Sequence, residues 1–353
     1  MKKICGLLLL TAAAYVAMTG CSKNGSDASG KSIFKKTDPE SISFSWQNAY
    51  ESKLTEYKSS ELFSENSAFD IFDITGDGTP ELIISSNSES TAKCFVYTYD
   101  GGELTEIGET GFCGIVSYCP ENKMMKNEYQ GSGFVIGNIV SYLNGAFDVI
   151  LTYSDNMASA SIGAEIYHEI NGADASLPEY ETALSPYADM KCIEAGRRYT
   201  FGDSVIKYAL SCSESWQAVM SSDQKKLCED KLTEVMNLTS GDGTDPAFDL
   251  CDLNGDKVPE LIISDGSNPE AECSVYYFSD GNLAEMDGKY GADGIMCFDT
   301  RNYVFFADKE SGKSYWSIAN TSFSSNDYVE SDSIAKIGRK YLLNENSILA
   351  VFN

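Results

Sequence analysis

The stretch Phe69–Ile84, FDIFDITGDGTPELII, joins two apolar runs through a short acidic loop. Oxygen-bearing side chains occupy alternate positions of this loop, namely Asp73, Thr75, Asp77, Thr79 and Glu81. Side-chain oxygens two residues apart on a tight turn can point at one centre, and Ca²⁺ takes about six to eight oxygen ligands. The stretch therefore predicts a turn between two strands that binds calcium.

A second copy of this stretch, FDLCDLNGDKVPELII, runs from Phe248 to Ile263. The residues in register with the first copy are Asp252, Asn254, Asp256, Val258 and Glu260. Flanking segments match as well, since GRRYTFGDSVI from Gly196 resembles GRKYLLNENSI from Gly338. Because the similarity covers both the acidic loop and the closing segment, we predict two tandem modules, residues 40–210 and 211–353.

Each module has the same predicted order of elements. Trp46, Tyr50, Leu54 and Tyr57 recur at helical spacing, and CFVYTY followed by ELTEI is typical of a hairpin. Local connections dominate, so the expected fold class is mainly antiparallel β with helices (α+β). Each module would combine an N-terminal helix, a calcium-type loop and a β-meander. Blades of a β-propeller use similar hairpins and are the alternative.

The N-terminus has the pattern of a secretory signal. Lys2 and Lys3 precede an apolar run, and small residues lead to Cys21. The predicted signal peptide covers residues 1–20, and a lipidated Cys21 with a flexible Ser/Gly-rich tether covers residues 21–39. A plain signal peptide cleaved nearby is the alternative. We expect an extracytoplasmic protein, lipid-anchored to a bacterial membrane at the cell surface, whose only contact with the membrane is this lipid.

Charge and motifs limit the classes of function. A net charge of −27 argues against nucleic acid, because phosphate binding needs a basic face. His168 is the only histidine, so a metal centre with two histidines is excluded. The chain contains no G-x-S-x-G, Walker or H-E-x-x-H motif. We therefore expect a protein that is not an enzyme.

Eleven cysteines include a matched set in the two modules. Cys94 and Cys119 have nearly the same spacing as Cys273 and Cys297. In an oxidising compartment these four residues could form two equivalent disulfides. Buried free thiols in strands are the alternative.

The acidic loops resemble the nine-residue D-x-[DN]-x-D-G-x-x-[DE] calcium loops of FG-GAP and VCBS-type repeats. The resemblance implies that the residues named above are the ligands in both loops, with Thr79 and Val258 contributing main-chain carbonyls. Thr75 departs from the usual Asp or Asn, and Lys257 departs from the usual Gly. The second site is therefore expected to be the weaker one.

Residues 45–353 also resemble uncharacterised lipoproteins of gut-type Gram-positive bacteria. They share a W-x-x-x-Y helix, the D-x-[DN]-G-D-G-x-P-E-L-I loop and a VYTY-x-x-G-x-L hairpin. This resemblance implies no established activity. We expect non-catalytic binding to a surface protein or a glycan. The alternatives are an extracellular hydrolase or its accessory subunit, acting through scattered carboxylates, and a purely structural envelope protein.

Overall fold

The structure is a computed structural model and describes residues 45–87, 92–111, 115–131, 133–143, 145–156, 167–212, 219–239, 245–268, 271–292, 294–318 and 328–352. These residues belong to one compact unit, Phe44–Asn353. The predicted signal peptide, Cys21 and the tether lie outside the described residues. No helix in the described part of the chain is long and apolar enough to cross a membrane.

We call residues 40–210 the first repeat and residues 211–353 the second repeat. The helices are α1 (Trp46–Lys58), α2 (Leu177–Leu184), α3 (Asp203–Cys212), α4 (Ser222–Thr239) and α5 (Glu345–Phe352). The strands of the first repeat are β1 (Ala68–Phe72), β2 (Glu81–Ser85), β3 (Cys94–Asp100), β4 (Glu103–Thr110), β5 (Ile115–Cys119), β6 (Met124–Gly131), β7 (Phe134–Leu143), β8 (Ala146–Asn156), β9 (His168–Ile170), β10 (Ala173–Ala175) and β11 (Ile193–Glu194). The strands of the second repeat are β12 (Ala247–Cys251), β13 (Glu260–Ser264), β14 (Cys273–Ser279), β15 (Asn282–Glu285), β16 (Gly294–Asp299), β17 (Val304–Lys309), β18 (Gly312–Trp316), β19 (Ile334–Lys336) and β20 (Tyr341–Leu342).

Four antiparallel sheets are built from these strands. Their orders are β1-β2-β3-β4, β10-β9-β8-β7-β6-β5-β11, β15-β14-β13-β12-β20 and β18-β17-β16-β19. Most neighbours in a sheet are consecutive in the chain, and none of the four described sheets closes into a barrel. The predicted α+β class is therefore confirmed. Sequence reasoning missed β6, whose polar Lys-Asn-Glu stretch weakens the alternation expected of a strand.

Helix α1 forms where the periodicity predicts it. Ser45 caps its N-terminus by accepting the Asn48 N–H at 3.4 Å. The buried residues Tyr50, Leu54 and Tyr57 face the core at helical spacing. Helix α1 packs against α3, and α4 packs against α5.

The two copies of the opening stretch pair in the same register. In the first repeat the pairs run from Ala68 with Ser85 to Phe72 with Glu81. In the second repeat they run from Ala247 with Ser264 to Cys251 with Glu260. The sequence repeat is thus also a repeat of hydrogen-bonded geometry.

The closing segments connect the sheets. Tyr341 of β20 pairs with Phe248, and the corresponding Tyr199 pairs with Phe69. Tyr199 also bridges to Ala335 of β19, in the other repeat. The largest buried cluster likewise combines Phe69 and Tyr199 with aromatic residues of the second repeat. The two repeats therefore share the largest of the described buried clusters.

The predicted disulfides are wrong. Cys119 bonds to Cys192, 73 residues away, because β11 pairs with β5 and brings the two Cα atoms within 4.1 Å. Cys94, Cys273 and Cys297 are buried free thiols. Cys94 and Cys119 lie in different sheets, as do Cys273 and Cys297. The alternative of buried thiols is confirmed for Cys94, Cys273 and Cys297.

Candidate metal centres

The first acidic loop is residues 73–80, between β1 and β2, and the second acidic loop is residues 252–259, between β12 and β13. Pairing of Phe72 with Glu81 and of Cys251 with Glu260 closes each loop at its base. Helix α1 also holds the first loop, because the Tyr50 hydroxyl donates to the Pro80 carbonyl at 2.6 Å. Each predicted ligand set therefore lies on one turn with a fixed base.

The first aspartate of each loop accepts hydrogen bonds from the loop's own backbone. Asp73 accepts the Gly76 and Gly78 N–H groups at 2.6 and 3.1 Å. Asp252 accepts the Gly255 and Lys257 N–H groups at 2.7 and 3.1 Å. Burial raises the pKa of Asp252 above its usual range. These bonds shape both turns in the same way.

The central aspartate is exposed in both loops. Asp77 accepts the Thr79 N–H at 2.7 Å, and Asp256 accepts the Val258 N–H at the same distance. Thr79 and Val258 thus contribute a backbone N–H to the hydrogen bonds of their loops. Ligation by their carbonyl oxygens stays a prediction.

The glutamate at the exit of each loop is buried. Glu81 accepts the Ile74 and Thr75 N–H groups at 2.8 and 3.1 Å, and the Thr98 hydroxyl at 3.0 Å. Burial raises the pKa of Glu81 to about 7, and the hydrogen bonds oppose that rise. A buried carboxylate of this kind is stabilised by a nearby cation.

Glu260 occupies the corresponding position in the second loop. It accepts the Leu253 N–H at 2.7 Å. Burial raises the pKa of Glu260 to about 8, and the charges of Asp256 and Asp252 add to the rise. The exit glutamates are therefore the most desolvated of the predicted carboxylate ligands.

Both loops need left-handed backbone at corresponding positions. Gly78 has φ +90°, and Lys257, which replaces glycine there, has φ +72°. A non-glycine residue in this region costs about 1–2 kcal/mol. The backbone angle therefore places Lys257 in the strained left-handed region.

A hairpin tip contacts each loop, and sequence reasoning missed this contact. A Cβ added to Gly76 would overlap the ammonium group of Lys123, in the turn between β5 and β6. A Cβ added to Gly255 would lie 2.9 Å from Cε1 of Tyr303, in the turn between β16 and β17. The first loop therefore has a cationic neighbour where the second loop has a phenol ring. Lys123 and Tyr303 are distant from the loops in the sequence, so this difference is visible only in the tertiary structure.

The oxygen-bearing side chains of both loops are the ligand type that Ca²⁺ prefers, but they do not converge on one point. In the second loop, Nδ2 of Asn254 donates to Asp256 at 3.1 Å and to Glu260 at 2.9 Å. The Asn254 amide nitrogen thus lies between two carboxylates, and a cation would take that place only if the amide turned its oxygen inward. In the first loop, the Thr75 hydroxyl lies 3.5 Å from Glu81. Within the described residues, no group of three or more His, Cys, Asp or Glu side chains converges as a ready-made metal site.

The chain was compared with protein-family models, with curated proteins and with solved structures, and none of the three comparisons gave a match.

Proposed function

We propose that this chain is a non-catalytic binding protein, stabilised by calcium at its two acidic loops and held at the cell surface by a lipid on Cys21. The observation that carries the calcium part is the duplicated loop geometry. Each loop has the same pattern of aspartate-to-amide hydrogen bonds and the same buried glutamate at its exit. Two copies of one acidic turn are more than a strand connection requires.

We also propose the finer arrangement of two tandem modules, each with a helix, an acidic loop and a meander. The matching registers of β1 with β2 and of β12 with β13 support it. The packing of α1 against α3 in the first module, and of α4 against α5 in the second, supports it as well. In this arrangement the two calcium ions would stabilise one strand turn in each module.

Calcium would act by neutralising charge that the fold confines. Each loop together with the glutamate at its exit carries three carboxylates within nine residues, in a chain of net charge −27. Asp73, Asp77 and Glu81 would hold the ion in the first loop, and Asp252, Asp256 and Glu260 in the second. An ion that binds only the folded chain stabilises it by about 2 kcal/mol per site at twentyfold its Kd.

Thermal unfolding tests the calcium sites. We expect 2 mM Ca²⁺ to raise the Tm of the metal-free chain by a few degrees. Asp77→Ala and Asp256→Ala should each remove part of the rise, and the double variant should remove most of it. Glu51→Ala, on the exposed face of α1, is the control and should keep the full rise. Identical unfolding curves with calcium and with a chelator would rule out the sites.

An exposed apolar patch supports a binding role. Tyr129 on β6 lies directly opposite Ile136 on β7, and Phe134 is two residues from Ile136. The three side chains are about 40% exposed on one face of the sheet. An exposed aromatic patch is typical of a surface that meets a protein or a sugar ring.

A binding screen tests this role. The full chain with Cys21→Ser would be applied to glycan and surface-protein arrays, alongside the same chain with Tyr129→Ser and Phe134→Ser. Binding that the double variant loses would support the patch. Turnover of a bound glycan or peptide would instead favour the hydrolase alternative.

A further inference from the structure

A cavity between the closing segments of the two repeats has more cationic than anionic side chains in its lining. The cavity volume is about 40 Å³, which is room for a few water molecules or a small ion. The charged lining residues are Asp70, Glu194, Arg197, Arg198, Lys336 and Arg339. Four cationic and two anionic side chains thus meet here, in a chain whose net charge is −27.

Among the described residues, cations still outnumber anions when the ion-pair partners of the lining and the nearby Lys340 are included. Arg198 forms an ion pair with Asp249, and Lys336 forms one with Glu194 at 2.8 Å. Lys340 is a further buried cation close by, and its charge acts on Asp70. Three of the chain's four arginines line this one cavity.

Arg197 and Arg339 hold corresponding positions in the two closing segments, GRRY and GRKY. Arg339 Nη1 lies 4.0 Å from the Cys273 thiol, and the charge of Arg197 acts on the corresponding Cys94 thiol. The side chain of Arg197 is buried, and that of Arg339 is half-buried. Burial lowers the pKa of Arg339, because its cation is held away from water.

We propose that this cavity binds a small oxyanion, of the phosphate or carboxylate class, between the guanidinium groups of Arg197 and Arg339. Guanidinium groups present planar pairs of N–H donors that match carboxylate and phosphate oxygens, and such charge-assisted bonds are among the strongest in proteins. An anion would neutralise the excess charge of the two closing segments. The site uses neither acidic loop, so it does not depend on the proposed calcium binding.

Isothermal titration calorimetry on the full chain with Cys21→Ser tests the proposal. The probes are sodium phosphate, sodium sulfate and sodium malonate, at an ionic strength matched with sodium chloride and in buffer freed of calcium by a chelating resin. We expect saturable binding of one anion per chain. Tighter binding of phosphate would identify a phosphate-bearing ligand, and tighter binding of malonate would identify a carboxylate.

Paired variants assign the binding to the cavity. Arg339→Gln and Arg197→Gln should each weaken binding at least tenfold, whereas Arg301→Gln, in an exposed ion pair, should leave it unchanged. If a Gln variant fails to fold by circular dichroism, the Lys variant at that position keeps the charge and should still weaken binding severalfold. Absence of saturable binding by the parent chain would overturn the proposal. Equal affinities for the parent and the Arg339 and Arg197 variants would also overturn it.

Discussion

Arg198 of the first repeat forms a buried ion pair with Asp249 of the second repeat. The two side chains are 8% and 1% exposed. Asp249 also accepts the Gly338 and Leu250 N–H groups, each at 2.9 Å. Charges removed from water are costly unless they are paired and hydrogen-bonded, and here both conditions are met. The pair therefore ties the closing segment of the first repeat to β12 of the second.

Asp249→Asn should remove the ion-pair partner of the buried Arg198 guanidinium, although the charge of Asp70 still acts on it. We expect the free energy of unfolding to fall by about 3–5 kcal/mol. Urea denaturation measures it. Arg301→Gln is the matched control, because it breaks the exposed pair with Asp332 and should cost less than about 1 kcal/mol. Equal losses for the two variants would contradict a special role for the buried pair.

Lys257→Gly should stabilise the chain. It removes left-handed strain of about 1–2 kcal/mol, and the flexibility of glycine offsets about 0.5–1 kcal/mol of that gain. Gly78→Ala, at the corresponding position of the first loop, should destabilise by a similar amount. Chemical denaturation in the presence of a chelator measures both effects without metal. Changes of the same sign in the two variants would contradict the assignment of strain.

Lys123→Ala should tighten calcium binding at the first loop, if that loop binds calcium as proposed. Removal of the ammonium beside Gly76 relieves repulsion of about 1 kcal/mol, or roughly fivefold in Kd. Calorimetry measures the affinity, and both proteins carry Asp256→Ala so that only the first loop contributes to calcium binding. Lys226→Ala, on the exposed surface of α4, is the control. A weaker affinity in the Lys123 variant would show that this ammonium supports the site rather than opposing it.

Asp70 should make stability depend on pH. Burial raises its pKa from 3.8 to about 6, although the charges of Arg198 and Lys340 oppose the rise. Because the folded state binds this proton more tightly than the unfolded state, the contribution is present below about pH 4 and is lost as pH rises through 6. Asp70→Asn has no such loss. Its stability relative to the parent chain should therefore improve by up to about 3 kcal/mol between pH 4 and 7.5.

Urea denaturation at both pH values gives this difference. Glu51→Gln, on the exposed face of α1, serves as the control and should follow the parent chain at both values. A pH profile of Asp70→Asn parallel to that of the parent would contradict the shifted pKa.

The disulfide between Cys119 and Cys192 should contribute strongly to stability. Chain entropy for a loop of 73 residues predicts about 4 kcal/mol. Cys119→Ser combined with Cys192→Ser should lose this amount, and a reductant should lower the stability of the parent chain but not of the double variant. Peptide mapping under non-reducing conditions identifies the bond. A reductant that leaves the parent unchanged would contradict the disulfide.

Much of the candidate site could be read from neighbouring residues. The alternating oxygens of Asp73 to Glu81 predict a turn, and the structure places that turn between β1 and β2. The strain at Lys257 follows from its alignment with Gly78. Helix α1 and the hairpin of β3 with β4 follow from periodicity. These features depend on local sequence, because turns, helices and hairpins form between residues close in the chain.

The sequence by itself therefore determined the local elements, their duplication and the acidic loops. Only the tertiary structure decided which distant residues meet. It pairs Cys119 with Cys192 rather than with Cys94, and it places Lys123 on the first loop. It also gathers three arginines around one cavity. The physical reason is that pairing between sheets and the packing of a shared core depend on the arrangement of the whole chain, which no short window of sequence contains.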